Sequence, residues 1–213
     1  MVGAPLLVLA THNQGKLREL RELLRDQVPG LDVDADVVDA GVLHAPDVVE
    51  TGISFAENSR LKASEVARFT GVLAIADDSG LAVDVLGGAP GIFSARWAGK
   101  HGDDQGNLEL LLAQLSDIAP AHRGARFVCA AALASPDGAL DVVEEGILEG
   151  TLLAAPRGDG GFGYDPILQP VGMNVSCAEL SSDEKNAISH RGNAFRALLP
   201  HIVTALSSGG HLR

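Results

Sequence analysis

The sequence predicts an α/β protein whose sheet is at least partly antiparallel. An apolar run at Pro5–Ala10 is followed by a short Gly-containing loop and then by leucines at helical spacing. Further on, the apolar runs Arg126–Ala134 and Leu140–Leu148 flank Ser135-Pro136-Asp137-Gly138, which is a hairpin signature. Two Ser-x-x-Glu capping boxes, Ser54 to Glu57 and Ser181 to Glu184, mark the starts of helices.

Taken in order, Pro5–Ala10 reads as the first strand. Thr11-His12-Asn13-Gln14-Gly15-Lys16 links it to a helix marked by Leu17, Leu20, Leu23 and Leu24. Free N–H groups at a helix start, with Lys16 beside them, suit an anion such as a phosphate. This is not a Walker A loop, because the first glycine and the Ser/Thr after the lysine are both missing. Leu31–Val42 reads as a strand of mixed polarity, and Leu43–Gly52 as a loop carrying Glu50. The helix capped by Ser54 is expected to run to about Phe69. Asn58 and Lys62 lie four apart on it and share a face, with solvent the default surroundings for Lys62.

The chain is organised around Ala74–Arg96. An apolar run, Leu73–Ala76, drives into Asp77 and Asp78, followed by Ser79, Gly80, a second apolar run at Leu81–Leu86 and a Gly-Pro turn. Carboxylates are rarely buried unless paired or bound to metal. While the chain stays extended, adjacent side chains point to opposite faces. Two acids at the end of a buried strand therefore suggest a site that holds a cation or activates water. The competing reading is a solvated Asp-Ser-Gly turn.

Asp103–Leu115 reads as a leucine-rich helix. Arg157–Pro166 is a glycine-rich loop holding Phe162 and Tyr164, in a chain that is only 4% aromatic, which points to a stacking platform. A mobile surface loop would read the same. The last helix opens at Ser181 and carries Lys185, His190 and Arg191, then Phe195, Leu198 and Leu199. Pro200 is expected to kink or break it, and disorder is expected from about residue 207. On one regular helix Lys185, His190 and Arg191 would fan out at ~100° per residue rather than share a face.

The length, 213 residues, suits a single domain spanning 1–213. With 46% hydrophobic and 21% charged residues the composition is that of a soluble globular protein. The formal net charge of −12 argues against nucleic acid or anionic membrane as partner. Cys129 and Cys177 have no metal-ligand spacing and read as reduced and packed, which suits a cytoplasmic protein. The apolar start is too short to span a membrane and lacks a positive flank, so it reads as a strand rather than a signal peptide.

Five segments carry a resemblance: THNQGK, ETGISFAENSRLKA, IADDSGLAVDVLGGAPGI, GGFGYDP and SSDEKNAISHRG, in this order, from about Leu6 to Leu199. Together they resemble the inosine triphosphate pyrophosphatase family, house-cleaning enzymes that hydrolyse non-standard purine nucleoside triphosphates. The resemblance implies an elongated, two-lobed α/β structure with a curved mixed sheet flanked by helices and the active site in the cleft between the lobes. It implies cleavage of ITP, dITP or XTP between the α- and β-phosphates, giving a nucleoside monophosphate and pyrophosphate. Thr11, His12, Asn13, Gln14, Gly15 and Lys16 would hold the phosphates, with His12 and Gln14 at positions that vary in the family. Lys62, with Asn58 beside it, would add charge along the triphosphate. Glu50 and Asp78 would hold Mg²⁺, and Asp78 would also be the general base. Asp77 and Ser79 would line the same site, Ser79 as a substrate contact. Phe162, Gly163, Tyr164 and Asp165 would meet the base, Phe162 by stacking, with Lys185, His190 and Arg191 around it. The resemblance further implies a homodimer.

The alternatives are a pyrophosphatase for other modified nucleotides and a catalytically silent nucleotide-binding module. Against the silent module stands the presence of Lys16, Glu50, Lys62, Asp78, Lys185, His190 and Arg191 together. A phosphatase nucleophile motif would want alternating acids, D-x-D, which this stretch lacks.

Overall fold

Six strands form one mixed sheet in a computed structural model that describes residues 5–11 and 13–208. The strands are β1 (Leu7–Leu9), β2 (Val37–Asp39), β3 (Leu73–Val83), β4 (Gly124–Ala134), β5 (Asp141–Leu152) and β6 (Leu168–Pro170). Their order is β2-β1-β3-β4-β5-β6. β1 pairs in parallel with β2 and β3, and β5 pairs antiparallel with β6. The link of β4 to β5 is too short for a crossover, so these neighbours form the expected hairpin.

The helices are α1 (Gln14–Leu24), α2 (Val33–Asp36), α3 (Phe55–Thr70), α4 (Asp104–Gln114), α5 (Ser182–Ile188) and α6 (His190–Ser208). Crossovers between parallel strands are right-handed. β1→β2 steps one way along the sheet and β2→β3 steps back, so α1 and α3 lie on opposite faces of β3 and its neighbours. That placement decides which helix reaches which acid of the Asp77-Asp78 pair.

Several local expectations change. Leu31–Val42 is not one strand: Asp32 caps the short helix α2, its carboxylate accepting from Asp34 and Ala35 N–H, and only Val37–Asp39 is extended. At α3 Ser54 accepts from Glu57 N–H, but the Glu57 carboxylate reaches Ile53 N–H rather than closing the box on Ser54. The box at Ser181 is complete. The last helix is two, because Ser189 is extended (φ −62, ψ 145) between α5 and α6. Pro200 lies inside α6, which continues to Ser208, so the expected break is not found. The tail expected to be disordered falls mostly outside the described residues. Residues 209–213 and His12 lie outside the described residues.

The chain divides into two compact units. One comprises 1–78, 130–145 and 194–213, the other 79–129 and 146–193, so the boundaries fall inside β3, β4 and β5. In the first unit large side chains such as Leu7, Leu20, Ile75, Leu133 and Phe195 are buried, and the cluster that includes α3 is built from small residues, with Val8, Ala63, Val66, Ala74, Ala76 and Ala132 fully or nearly buried. Small side chains let α3 approach the sheet closely. The second unit has a core of Leu81, Leu108, Leu111, Leu115, Phe127, Tyr164 and Ile167. Cys129 and Cys177 are both buried, and neither is in a disulfide.

Arg123 is a buried charge in the second unit. Its guanidinium donates to the carbonyls of Leu115, Ile118 and Leu153, which ties the end of α4 to the residue after β5. Arg123→Met keeps the apolar stem but leaves three carbonyls without this donor. Each such loss costs about 1–3 kcal/mol. The variant is expected to unfold at a midpoint at least roughly 6 °C lower. Arg123→Lys should recover only part of that, since a point charge cannot replace the guanidinium fork. An unchanged midpoint in calorimetry would show that the clamp is idle.

Candidate active site

β3 does not turn at Asp77-Asp78-Ser79-Gly80: it stays extended from Leu73 to Val83. The solvated-turn reading is therefore overturned, and the two carboxylates point to opposite faces as extended chain requires. Gly80 makes the passage possible, because a Cβ there would lie 2.7 Å from Gly91 O and closer still to Ser94 Oγ. Ser94 Oγ meanwhile accepts from Leu81 N–H at 2.9 Å and donates to Gly91 O at 2.6 Å.

On one face, Asp77 is buried, with 2% of its side chain exposed, and Lys16 of α1 donates to both its carboxylate oxygens at 2.9 and 2.8 Å. A bidentate ammonium is what lets a carboxylate sit there. Asn13 caps α1 by accepting from Gly15 and Lys16 N–H, at 2.8 and 3.3 Å. Asn13 N–H in turn donates to Thr11 Oγ1 at 3.2 Å. Gln14, the first residue of α1, donates to Asp39 at 2.7 Å. Thr11, Asn13, Gln14, Gly15 and Lys16 thus form one ordered helix start whose ammonium is already committed to Asp77. Asp39, at the end of β2, is a contributor that the sequence reading missed; an acid closing a strand opposite a Gln-Gly helix start was its only signal.

On the other face, α3 serves Asp78. Asn58 is 1% exposed and donates to Asp78 Oδ2 at 3.0 Å, while its own carbonyl oxygen accepts from Gly52 N–H at 2.8 Å. That second bond fixes which end of the amide faces Asp78. It also explains Gly52, where a Cβ would fall 2.7 Å from Asn58 Oδ1. Lys62, one turn on, donates to Glu50 Oε1 at 2.7 Å and to the Asp77 carbonyl at 2.6 Å, and lies 3.9 Å from Asp78 Oδ1. Lys62 is therefore turned inward, not to solvent. Glu50, Asn58, Lys62, Asp77 and Asp78 form one cluster with Lys16.

In the second unit the glycine-rich loop is held from several sides. The Asp165 carboxylate is buried, accepts from Phe162 N–H at 2.8 Å and pairs with the Lys185 ammonium. Asp104, also not anticipated, accepts from Gly163 N–H at 2.9 Å. Gly161 and Gly163 adopt positive φ (73 and 60), which glycine alone takes without strain. The expected aromatic pair separates. Phe162 is 63% exposed with the Lys185 ammonium 5.0 Å from its ring centre, whereas Tyr164 is a core residue whose hydroxyl donates to Ser94 O at 2.9 Å. Burial, with Asp104 nearby, raises the Tyr164 pKa, so it stays a neutral phenol. Burial and the Asp165 carboxylate push the Cys177 thiol up to about 12, against the opposing pull of Lys185, which removes it as a nucleophile.

His190 stacks on Phe127 with ring centres 5.0 Å apart, and Arg191 reaches towards Ser79 Oγ at 3.5 Å. Because Ser189 separates α5 from α6, the fan predicted for a single helix does not apply. Lys185 belongs to the loop, His190 to the Phe127 surface, and Arg191 to the residue after Asp78.

The protein from Streptomyces coelicolor named dITP/XTP pyrophosphatase is 66% identical over 194 residues, covering 91% of this chain and 95% of its own. The solved Ham1 protein of Coxiella burnetii superposes with a TM-score of 0.85 at 39% identity, over 94% of this chain and 99% of that one. A solved Mycobacterium abscessus protein, titled nucleoside-triphosphatase / dITP/XTP pyrophosphatase, gives a TM-score of 0.76 at 48% identity, over 91% and 98%. Residues 7–201, nearly the whole chain, match the Ham1 family, and the chain belongs to it.

Proposed function

We propose that this protein hydrolyses non-standard purine nucleoside triphosphates (ITP, dITP and XTP) to the nucleoside monophosphate and pyrophosphate. The observation that carries this reading is the cluster around Asp77-Asp78, where Lys16 from one face and Lys62 with Glu50 from the other converge on two adjacent residues of β3. The names borne by the relatives, dITP/XTP pyrophosphatase, support the substrate class.

In this reading phosphate oxygens lie beside the start of α1, attracted by the helix end and by Lys16, whose ammonium has a third N–H beyond the two given to Asp77. Lys62 adds charge along the phosphate chain. Asp78, held by Asn58, takes the proton from the attacking water. Glu50 and Asp78 are hard oxygen donors that converge on one ammonium, and so fit Mg²⁺, which is commonly held by one or two carboxylates together with substrate phosphates. When bound there, the ion would neutralise charge building on the phosphates and make water more acidic. Ser79 would be a further substrate contact, with Arg191 reaching towards its hydroxyl.

Phe162 offers an exposed aromatic face for a base. ITP and XTP carry an acceptor oxygen at purine C6 where ATP carries a donor amino group. Lysine and arginine supply only donors, as does protonated histidine. Donors facing the ATP amino group leave buried polar atoms mismatched, which polar sites turn into discrimination of ~10⁴-fold or more.

With ITP and Mg²⁺, separate assays are expected to find pyrophosphate equal to the IMP formed. Release of orthophosphate instead would overturn the reading. Asp78→Asn, nearly isosteric, should lower kcat by ~10²–10⁴-fold with little change in unfolding temperature. More than about a tenth of wild-type activity remaining would move the base to Glu50 or Asp77. For selectivity, kcat/KM for ITP over ATP should fall at least tenfold in one or more of Lys185→Ala, His190→Ala and Arg191→Ala. A ratio unchanged in all three would place base reading in the backbone of the glycine-rich loop.

A further inference from the structure

Lys62 occupies the position that the proposed function gives to a cation, and its role here rests on that reading of Glu50 and Asp78. Its ammonium is surrounded by three oxygens: Glu50 Oε1 at 2.7 Å, the Asp77 carbonyl at 2.6 Å and Asp78 Oδ1 at 3.9 Å. Only 16% of its side chain is exposed, against 31% for Glu50 and 14% for Asp78. Two of the three N–H donors of the ammonium are hydrogen-bonded to oxygen, and the Asp78 carboxylate lies within ion-pair distance. It also offsets one of the two carboxylate charges. A divalent ion entering between the same oxygens would meet the ammonium at a few ångströms in a partly buried setting, where like charges repel strongly.

Lysine carries its charge on a flexible four-carbon stem. A nucleotide triphosphate brings several negative charges of its own, enough to draw the ammonium away from Glu50. The cation on the opposite face cannot take over this part, because Lys16 is held by both oxygens of Asp77. We infer that Lys62 is a resident counter-ion that keeps divalent metal out of the Glu50–Asp78 pair until nucleotide phosphates draw its ammonium off, so that metal enters with the nucleotide.

The test uses Mn²⁺ alone, titrated into nucleotide-free protein, with free Mn²⁺ read from its paramagnetic resonance signal. Wild type should bind weakly, and Lys62→Met and Lys62→Gln at least fivefold more tightly. Smaller gains, or losses, in the folded neutral variants would overturn the inference. Lys62→Gln retains a donor for the Asp77 carbonyl, and so guards against a failure of Lys62→Met to fold. Lys62→Arg keeps the charge and should bind Mn²⁺ as weakly as wild type. Tightening in Lys62→Arg equal to that of the neutral variants would also overturn it. No substrate enters this titration, so it stands apart from the product assay with ITP, whose failure would bear on the function and not on the counter-ion.

Discussion

Burying a carboxylate in the middle of a sheet is the constraint on which the first unit depends. β3 carries Asp77 into a nearly solvent-free position, where the bidentate ammonium of Lys16 offsets its charge. Lys16 can reach it because α1 starts soon after β1, the strand beside β3, and because Asn13 fixes the first turn. The same strand delivers Asp78 to the opposite face one residue later, where α3 must answer it. Two crossovers of the same hand put a helix on each face, and each helix brings the polar group its acid requires.

The charge arrangement has a chemical consequence. Three carboxylates and two lysines share one cluster, yet their pairings differ. Lys16 and Asp77 form a closed pair, with both carboxylate oxygens occupied. In the other, Lys62 bonds Glu50 and lies near Asp78, which also accepts from the neutral amide of Asn58. A closed pair holds structure, whereas an open one can exchange its cation. The adjacent acids therefore have different surroundings in spite of their adjacency, and the difference lies in the geometry of their partners.

In the second unit the glycine-rich loop is ordered by acids rather than by apolar packing. Asp165 and Asp104 accept from loop N–H groups, so the positive-φ glycines are held in place without side chains of their own. Phe162 is thereby left exposed on a defined backbone. Lys185, which pairs with Asp165 and covers the Phe162 ring, couples α5 to that loop. A charge that reads in sequence as part of a helix is, in space, part of the loop.

The sequence by itself determined the alternation of strands and helices, the hairpin, the start of α3 at Ser54 and the choice of Asp77-Asp78 as the centre, because periodicity, capping residues and burial cost are local properties. It also carried the family, since five motifs in order are specific where each alone is not. Only the tertiary structure decided that β3 runs straight through Asp-Asp-Ser-Gly, because that depends on Lys16, Asn58 and Ser94, each contributed by a different part of the chain. It likewise decided that Tyr164 is core while Phe162 is exposed, that Asp39 and Asp104 belong with the sites, and that Ser189 divides the last helix. These outcomes turn on partners far apart in sequence, and no window of local pattern contains both members of such a pair.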